Sequence, residues 1–176
     1  MIRINMFCPK IFVPSVTDID LAHLKGLGLN TLLLDLDNTL VSWRSKKIAD
    51  KVQAWLNEAF NLGFKMCIIS NCIFRGRVHY FAKKLGIPAI HRGVKPRQLP
   101  FKKALQMLEI TPEKTAVIGD QMFTDILGGN ILGAFTILVK PVDKREYWAT
   151  IIQRTAEKII LFRLRRLGIL NEIRTN

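Results

Sequence analysis

Two carboxylates, Asp35 and Asp37, stand one residue apart where a run of leucines ends, in the stretch "TLLLDLDNTL" of residues 31–40. Further along, the ends of other short apolar runs carry Ser70 and Asn71, then Lys95 a few residues past "PAIH", then Asp120 and Asp125 in "GDQMFTD". Carboxylates gathered in one crevice repel one another unless a positive charge sits among them, and a hard divalent cation, Mg²⁺ first, meets that need with few protein oxygens. A carboxylate held beside such an ion and a lysine can attack phosphorus, and a second carboxyl two residues on can protonate the leaving alcohol. In that scheme Asp35 is the nucleophile and Asp37 the acid and then the base. The Ser70 hydroxyl and the Asn71 amide donate to phosphoryl oxygens, and Lys95 offsets the charge of transfer.

For these residues to meet, the runs must be neighbouring strands of one sheet. Short, nearly all-apolar segments ("NTLLLD", "KMCIIS", "PAIH", "TAVIGD", "FTILVK") alternate with helical patterns in "IADKVQAWLNEAFNLG", "RGRVHYFAKKLG", "QLPFKKALQMLE" and "FTDILGGNILG". Five strands joined by four helical crossovers predict a parallel sheet covered on both faces, an α/β fold of three layers, with ligands beyond the carboxyl ends of the strands. The first of those helices is expected to bury Ile48, Val52, Trp55, Leu56, Ala59 and Phe60, and the second Val78, Phe81, Ala82 and Leu85. Ahead of the first strand, "TDIDLAHLKGLG" reads as a lead-in helix with Thr17 as its N-cap and Asp20 three residues on.

In order and in context, "DLDNT", "SN", "KP" and "GDQMFTD" resemble the motifs of the haloacid dehalogenase (HAD) superfamily, over roughly residues 30 to 141. That resemblance implies a Rossmann-like sheet of strand order 5-4-1-2-3. It also implies Mg²⁺ held by the Asp35 side chain, the Asp37 backbone carbonyl and Asp120, with Asp125 supporting the metal or its waters. A narrower similarity, to the YqeG group of subfamily IIIA phosphatases and its mitochondrial phosphatidylglycerophosphate phosphatase relatives, extends over nearly the whole chain. Members of that group usually carry a second Asn where this chain has Cys72. Only about thirty residues separate the first motif from Ser70, and about twenty separate Asn71 from Lys95, which leaves no room for a cap domain. A capless site resembles those that act on large phosphate esters. The expected substrate is therefore phosphatidylglycerophosphate, with a phosphoprotein, a nucleic-acid phosphate end or a small metabolite as the alternative.

Composition narrows the setting. The 176 residues fit one domain: a lead-in over 1–29, a catalytic core over 30–141 and a basic amphipathic helix over 142–176. Twenty-seven Lys and Arg against 14 Asp and Glu give +13, which points to an anionic partner. No apolar run is long enough to span a bilayer, and "MIRINMFCPK" is no secretory leader, so a cytoplasmic protein is expected, peripheral on the inner membrane face through its last helix. In that helix Trp148, Ile151, Ile152, Thr155, Ile159 and Phe162 are expected on the apolar side, away from Arg154, Lys158, Arg163, Arg165 and Arg166. Cys8, Cys67 and Cys72 read as reduced thiols, and His23, His79 and His91 show no ligand spacing, which excludes a zinc site of ordinary pattern. Arg75, Arg77, Arg92 and Arg97 are candidates for a second phosphate, and Trp43 and Arg44 for contact with substrate or membrane. Thr39 reads as a local structural bond, and Gly119 as the point where the backbone approaches the metal.

Overall fold

The computed structural model describes residues 4–143, 157–164 and 166. The leucine run forms β2 (Thr31–Leu34), and parallel partners flank it on both sides: β3 (Lys65–Ile69) and β5 (Thr115–Gly119). Beyond β3 lies the short β4 (Ala89–Ile90), and beyond β5 lies β6 (Phe135–Val139). These are the five expected strands in the expected order. A sixth, β1 (Ile11–Val13), adds to the outer edge of β6, giving β1-β6-β5-β2-β3-β4.

Alternation along the strands divides the interior into two layers, because successive side chains point to opposite faces. Leu32, Leu34, Met66, Ile68, Ala116 and Ile118 face α1 (Leu21–Gly26), α2 (Asp50–Asn61) and α3 (Arg75–Leu85). Leu33, Cys67, Ile69 and Val117 face α4 (Gln98–Leu108), which delivers Phe101, Ala104 and Leu105. Each leucine of β2 is at most 1% exposed, and burying such a side chain contributes about 1.5–3 kcal/mol. The strand that carries Asp35 is thus fixed from both sides before any charge is placed at its end.

Some local expectations change. Asp20, not Thr17, caps α1, accepting from the His23 amide at 2.8 Å; Ser15 caps a separate 3-10 turn over Val16–Asp18. Phe60 is exposed, while the rest of the expected α2 face is buried. Between β5 and β6 the chain opens as a π-helical turn, Met122–Ile126, before tightening into α5 (Leu127–Leu132). In the terminal helix, Trp148, Ile151, Ile152, Arg154, Thr155 and Arg165 lie outside the described residues. Across its described part, 157–164, Glu157 and Leu164 are buried, and Ile160 and Leu161 pack on Met122, Ile126 and Leu138. Ile159 and Phe162, expected inside, face solvent. Among the described residues no helix is long and apolar enough to cross a membrane.

Candidate active site

At the carboxyl end of β2 the chain makes a tight turn instead of continuing into solvent. The Asp35 amide still donates to Ile118 O of β5 at 2.9 Å, extending the ladder by one residue. Asn38 then adopts φ 64°, a left-handed conformation that Asn tolerates, and its N–H donates to Val41 O at 2.7 Å. The result buries Asp35 at the strand end and lifts Asp37 to the rim.

Carboxylate oxygens of Asp35, Asp120 and Asp125 lie within 4.8 Å of one another, all three buried. Lys95 reaches them from the β4–α4 loop, its Nζ 2.6 Å from Asp35 Oδ1 and 2.5 Å from Asp125 Oδ1. Burial acts to lower the Lys95 ammonium, but the two carboxylates outweigh it and hold its pKa above the usual lysine range. Burial raises Asp125 against the opposing pull of Lys95. Three carboxylates and one ammonium form a donor set that fits a divalent cation.

Each position has an identifiable cause. Asp125 sits on the π-helical turn, where its Oδ2 accepts from the Gln121 amide at 3.1 Å. Its carboxyl lies over Gly119: a Cβ there would fall 2.2 Å from Asp125 Cγ. Gly119 therefore makes room for Asp125. Thr39 donates to Asp120 Oδ1 at 3.4 Å, so its bond is to the site rather than to its own loop. Lys95 is held through its main chain: Asn71 Oδ1 accepts from the Lys95 amide at 2.7 Å, and Asn71 Nδ2 donates to Lys95 O at 3.3 Å. The side-chain amide of Asn71, expected on a phosphoryl oxygen, is engaged as this clasp. Ser70 is buried, and its Oγ accepts from the Cys72 amide at 3.0 Å. Cys72 itself packs against the core.

These features can be compared with known proteins. A family model described as HAD-hydrolase-like matches residues 93–150. The probable phosphatase YqeG of Bacillus subtilis is 39% identical over 164 residues, which is 93% of this chain and 95% of that protein. The chain belongs to the YqeG family of HAD phosphatases.

A second relative of the YqeG-family chain is the chloroplastic/mitochondrial phosphatidylglycerophosphate phosphatase 1 of Arabidopsis thaliana, 26% identical over 172 residues. The chain spans about half of that protein's length, 49%. The fold recurs in the cobalt-bound deoxy-D-mannose-octulosonate 8-phosphate phosphatase of Haemophilus influenzae, with a TM-score of 0.53 at 12% identity, covering 64% of this chain and 69% of that one.

Two residues of this YqeG-family site were not legible in the sequence. Arg77, expected as a phosphate ligand, is committed within the protein: Nε donates to Asp37 Oδ1 at 2.8 Å, and its two terminal nitrogens donate to Ser45 O at 2.7 Å and Ser42 O at 2.9 Å. It ties the flap after the first motif to the rim carboxylate. Burial nevertheless raises the Asp37 carboxyl above its ordinary value, with Arg77 pulling the other way. Glu157, from the terminal helix, is buried and accepts from the Met122 amide at 2.8 Å, at the head of the turn that carries Asp125. No spacing rule links position 37 to 77 or 122 to 157, so only the folded chain shows these pairs. Arg75, Arg92 and Arg97 are exposed on the same rim. The guanidinium of Arg44 lies 4.8 Å from the centre of the Trp43 ring.

Proposed function

We propose that the chain is a Mg²⁺-dependent phosphomonoesterase that forms an aspartyl-phosphate on Asp35, and that its substrate is phosphatidylglycerophosphate. The observation that carries the mechanism is the buried Lys95 ammonium between Asp35 and Asp125, with Asp37 held apart from that cluster by Arg77. Asp35, Asp120 and Asp125, with the Asp37 backbone carbonyl, would hold Mg²⁺, which supplies positive charge for the phosphoryl oxygens.

The protein's own groups account for the steps. An Asp35 oxygen forms a bond to phosphorus as the phosphorus–alkoxide bond breaks, and Asp37 gives its proton to the departing alkoxide. Burial pushes its pKa upward, the direction that favours an acid. A water then loses a proton to Asp37 and attacks phosphorus, which frees phosphate and restores the Asp35 carboxylate. Lys95 holds Asp35 in position and meets charge developing on the transferred group, and Ser70 lies at the strand end beside it.

Two features support the lipid substrate: the likeness to a relative named for it, and a site without an inserted cap, since α2, α3 and β4 fill the intervals between the motifs. The test is phosphate release from phosphatidylglycerophosphate in vesicles, beside a soluble ester, a phosphopeptide and an oligonucleotide 3′-phosphate. Activity that is greatest on the lipid, removed by EDTA, restored by Mg²⁺ and absent in Asp35→Asn is expected. Turnover of the other esters with none of the lipid refutes the substrate, and an active Asp35→Asn refutes the mechanism.

A further inference from the structure

The two ends of the sheet differ in charge. At the carboxyl end the site itself holds Asp35, Asp37, Asp120 and Asp125, and Asp143 is bonded to Ser42, but the surrounding residues 42–49, 70–79 and 91–99 contain no Asp or Glu. Arg77 and Lys95 are spent on Asp37 and Asp35, which leaves six exposed cations there: Arg44, Lys46, Lys47, Arg75, Arg92 and Arg97. The loops at the opposite end, 27–30, 62–64, 86–88, 109–114 and 133–134, carry one lysine and two glutamates. Large apolar side chains stand out among the cations: Ile73 and Phe74 after β3, 64% and 69% exposed, and Val94 and Leu99 after β4, 54% and 64% exposed.

These two loops are one unit. Beyond the Asn71 clasp, the Gly93 amide donates to Ser70 O at 2.9 Å and the Arg92 amide to Cys72 O at 3.4 Å. Arg92 and Val94 hold left-handed backbone, φ 50° at each, and for a β-branched valine that conformation is strained. Phe74 occupies the N-cap of α3, where Ser, Thr, Asp and Asn are favoured, and makes no side-chain cap bond. Neither helix capping nor the core accounts for an aromatic there.

Resting on the reading of a lipid substrate, we infer that this rim is the surface that docks on an anionic bilayer, with Ile73, Phe74, Val94 and Leu99 entering the interface and the six cations meeting lipid phosphates. Apolar side chains in a basic collar are what an anionic bilayer surface accepts, since it offers acyl chains beneath negative charge. A nucleic acid would use the cations and leave the aliphatic residues without a partner. Docking in this pose sets the Asp35–Lys95 crevice against the headgroups, so that a phosphomonoester is reached without leaving the membrane.

The test is co-sedimentation of the full chain with phosphatidylcholine vesicles containing about one third phosphatidylglycerol, which hold no hydrolysable substrate. Ile73→Ser with Phe74→Ser is expected to weaken binding by about tenfold or more and to leave hydrolysis of p-nitrophenyl phosphate unchanged. Serine at position 74 is itself a good N-cap, so folding is spared. Arg92→Glu with Arg97→Glu is expected to weaken binding and flatten its salt dependence. Wild-type binding by both double variants overturns the inference. So does loss of binding in Ile159→Ser with Phe162→Ser alone, or a preference for a single-stranded oligonucleotide that Ile73 and Phe74 do not affect. If the wild type binds vesicles through Ile73 and Phe74 yet releases no phosphate from phosphatidylglycerophosphate, the docking face stands and the substrate falls.

Discussion

Replacing Arg77 by Met gives a sharp test of how the rim carboxylate is tuned. Methionine keeps the aliphatic stem near the Phe81 ring, whose centre is 5.1 Å from the guanidinium carbon, and removes all three donated hydrogen bonds. Burial has already raised the Asp37 carboxyl, and the hydrogen bond and charge of Arg77 are what hold it down, so their loss moves it further up. A hydrogen bond to a charged group contributes about 1.5–3 kcal/mol, all of it favouring the carboxylate, so its loss pushes the Asp37 pKa up. The acid form of Asp37 then persists to higher pH. With an alkyl phosphomonoester, the basic limb of kcat/KM should shift to higher pH. With p-nitrophenyl phosphate, whose leaving group needs no proton, that limb should not respond. A higher Asp37 pKa also leaves less of the carboxylate that must act as base, so breakdown of the phosphoenzyme should slow and a burst should appear. An unmoved or lowered basic limb, in a variant with wild-type circular dichroism, refutes the assignment of Asp37 as the acid that Arg77 tunes.

Two other outcomes follow from packing. Gly119→Ala would drive a Cβ into the Asp125 carboxyl; a loss of about 1–3 kcal/mol is expected, seen as a lower Tm, together with loss of Mg²⁺-dependent activity. An unchanged Tm and unchanged activity would show that Asp125 has room to move. The Cys67 thiol is fully buried and pushed up to about 12, so iodoacetamide at pH 8 should modify it only after unfolding; mass spectrometry showing rapid labelling of Cys67 in the native protein contradicts this placement.

The five strands and the convergence of Asp35, Lys95, Asp120 and Asp125 at their carboxyl ends were legible because short apolar runs ending in charge alternate with helical patterns, and the strand order followed from the resemblance of the four motifs to the HAD superfamily. The sixth strand was not: "IFV" is three residues beside prolines, and it becomes a strand only because β6 offers an open edge. Thr17 lost the α1 cap to Asp20 because Ser15 first closes a 3-10 turn that delays the helix. In 157–164, the closely spaced Ile159, Ile160, Leu161 and Phe162 allow more than one inward face. The choice fell to the rotation that buries Glu157 against the Met122 amide and Leu164 with it. Arg77 and Asn71 were read as ligands because sequence shows a charge or an amide but not what it already holds.

The bond from Glu157 to Met122 bears on how modular the tail is. A basic, amphipathic ending invites treatment as a detachable anchor that can be removed or grafted at will. Here removal would strip a carboxylate from a buried amide at the head of the turn that presents Asp125, and would uncover Met122, Ile126 and Leu138. The described part of the last helix is therefore a buttress of the turn that presents Asp125. A shortened chain that fails to hydrolyse its ester reports on that buttress and says nothing about membranes, which is why single outward substitutions are the sound way to question its surface.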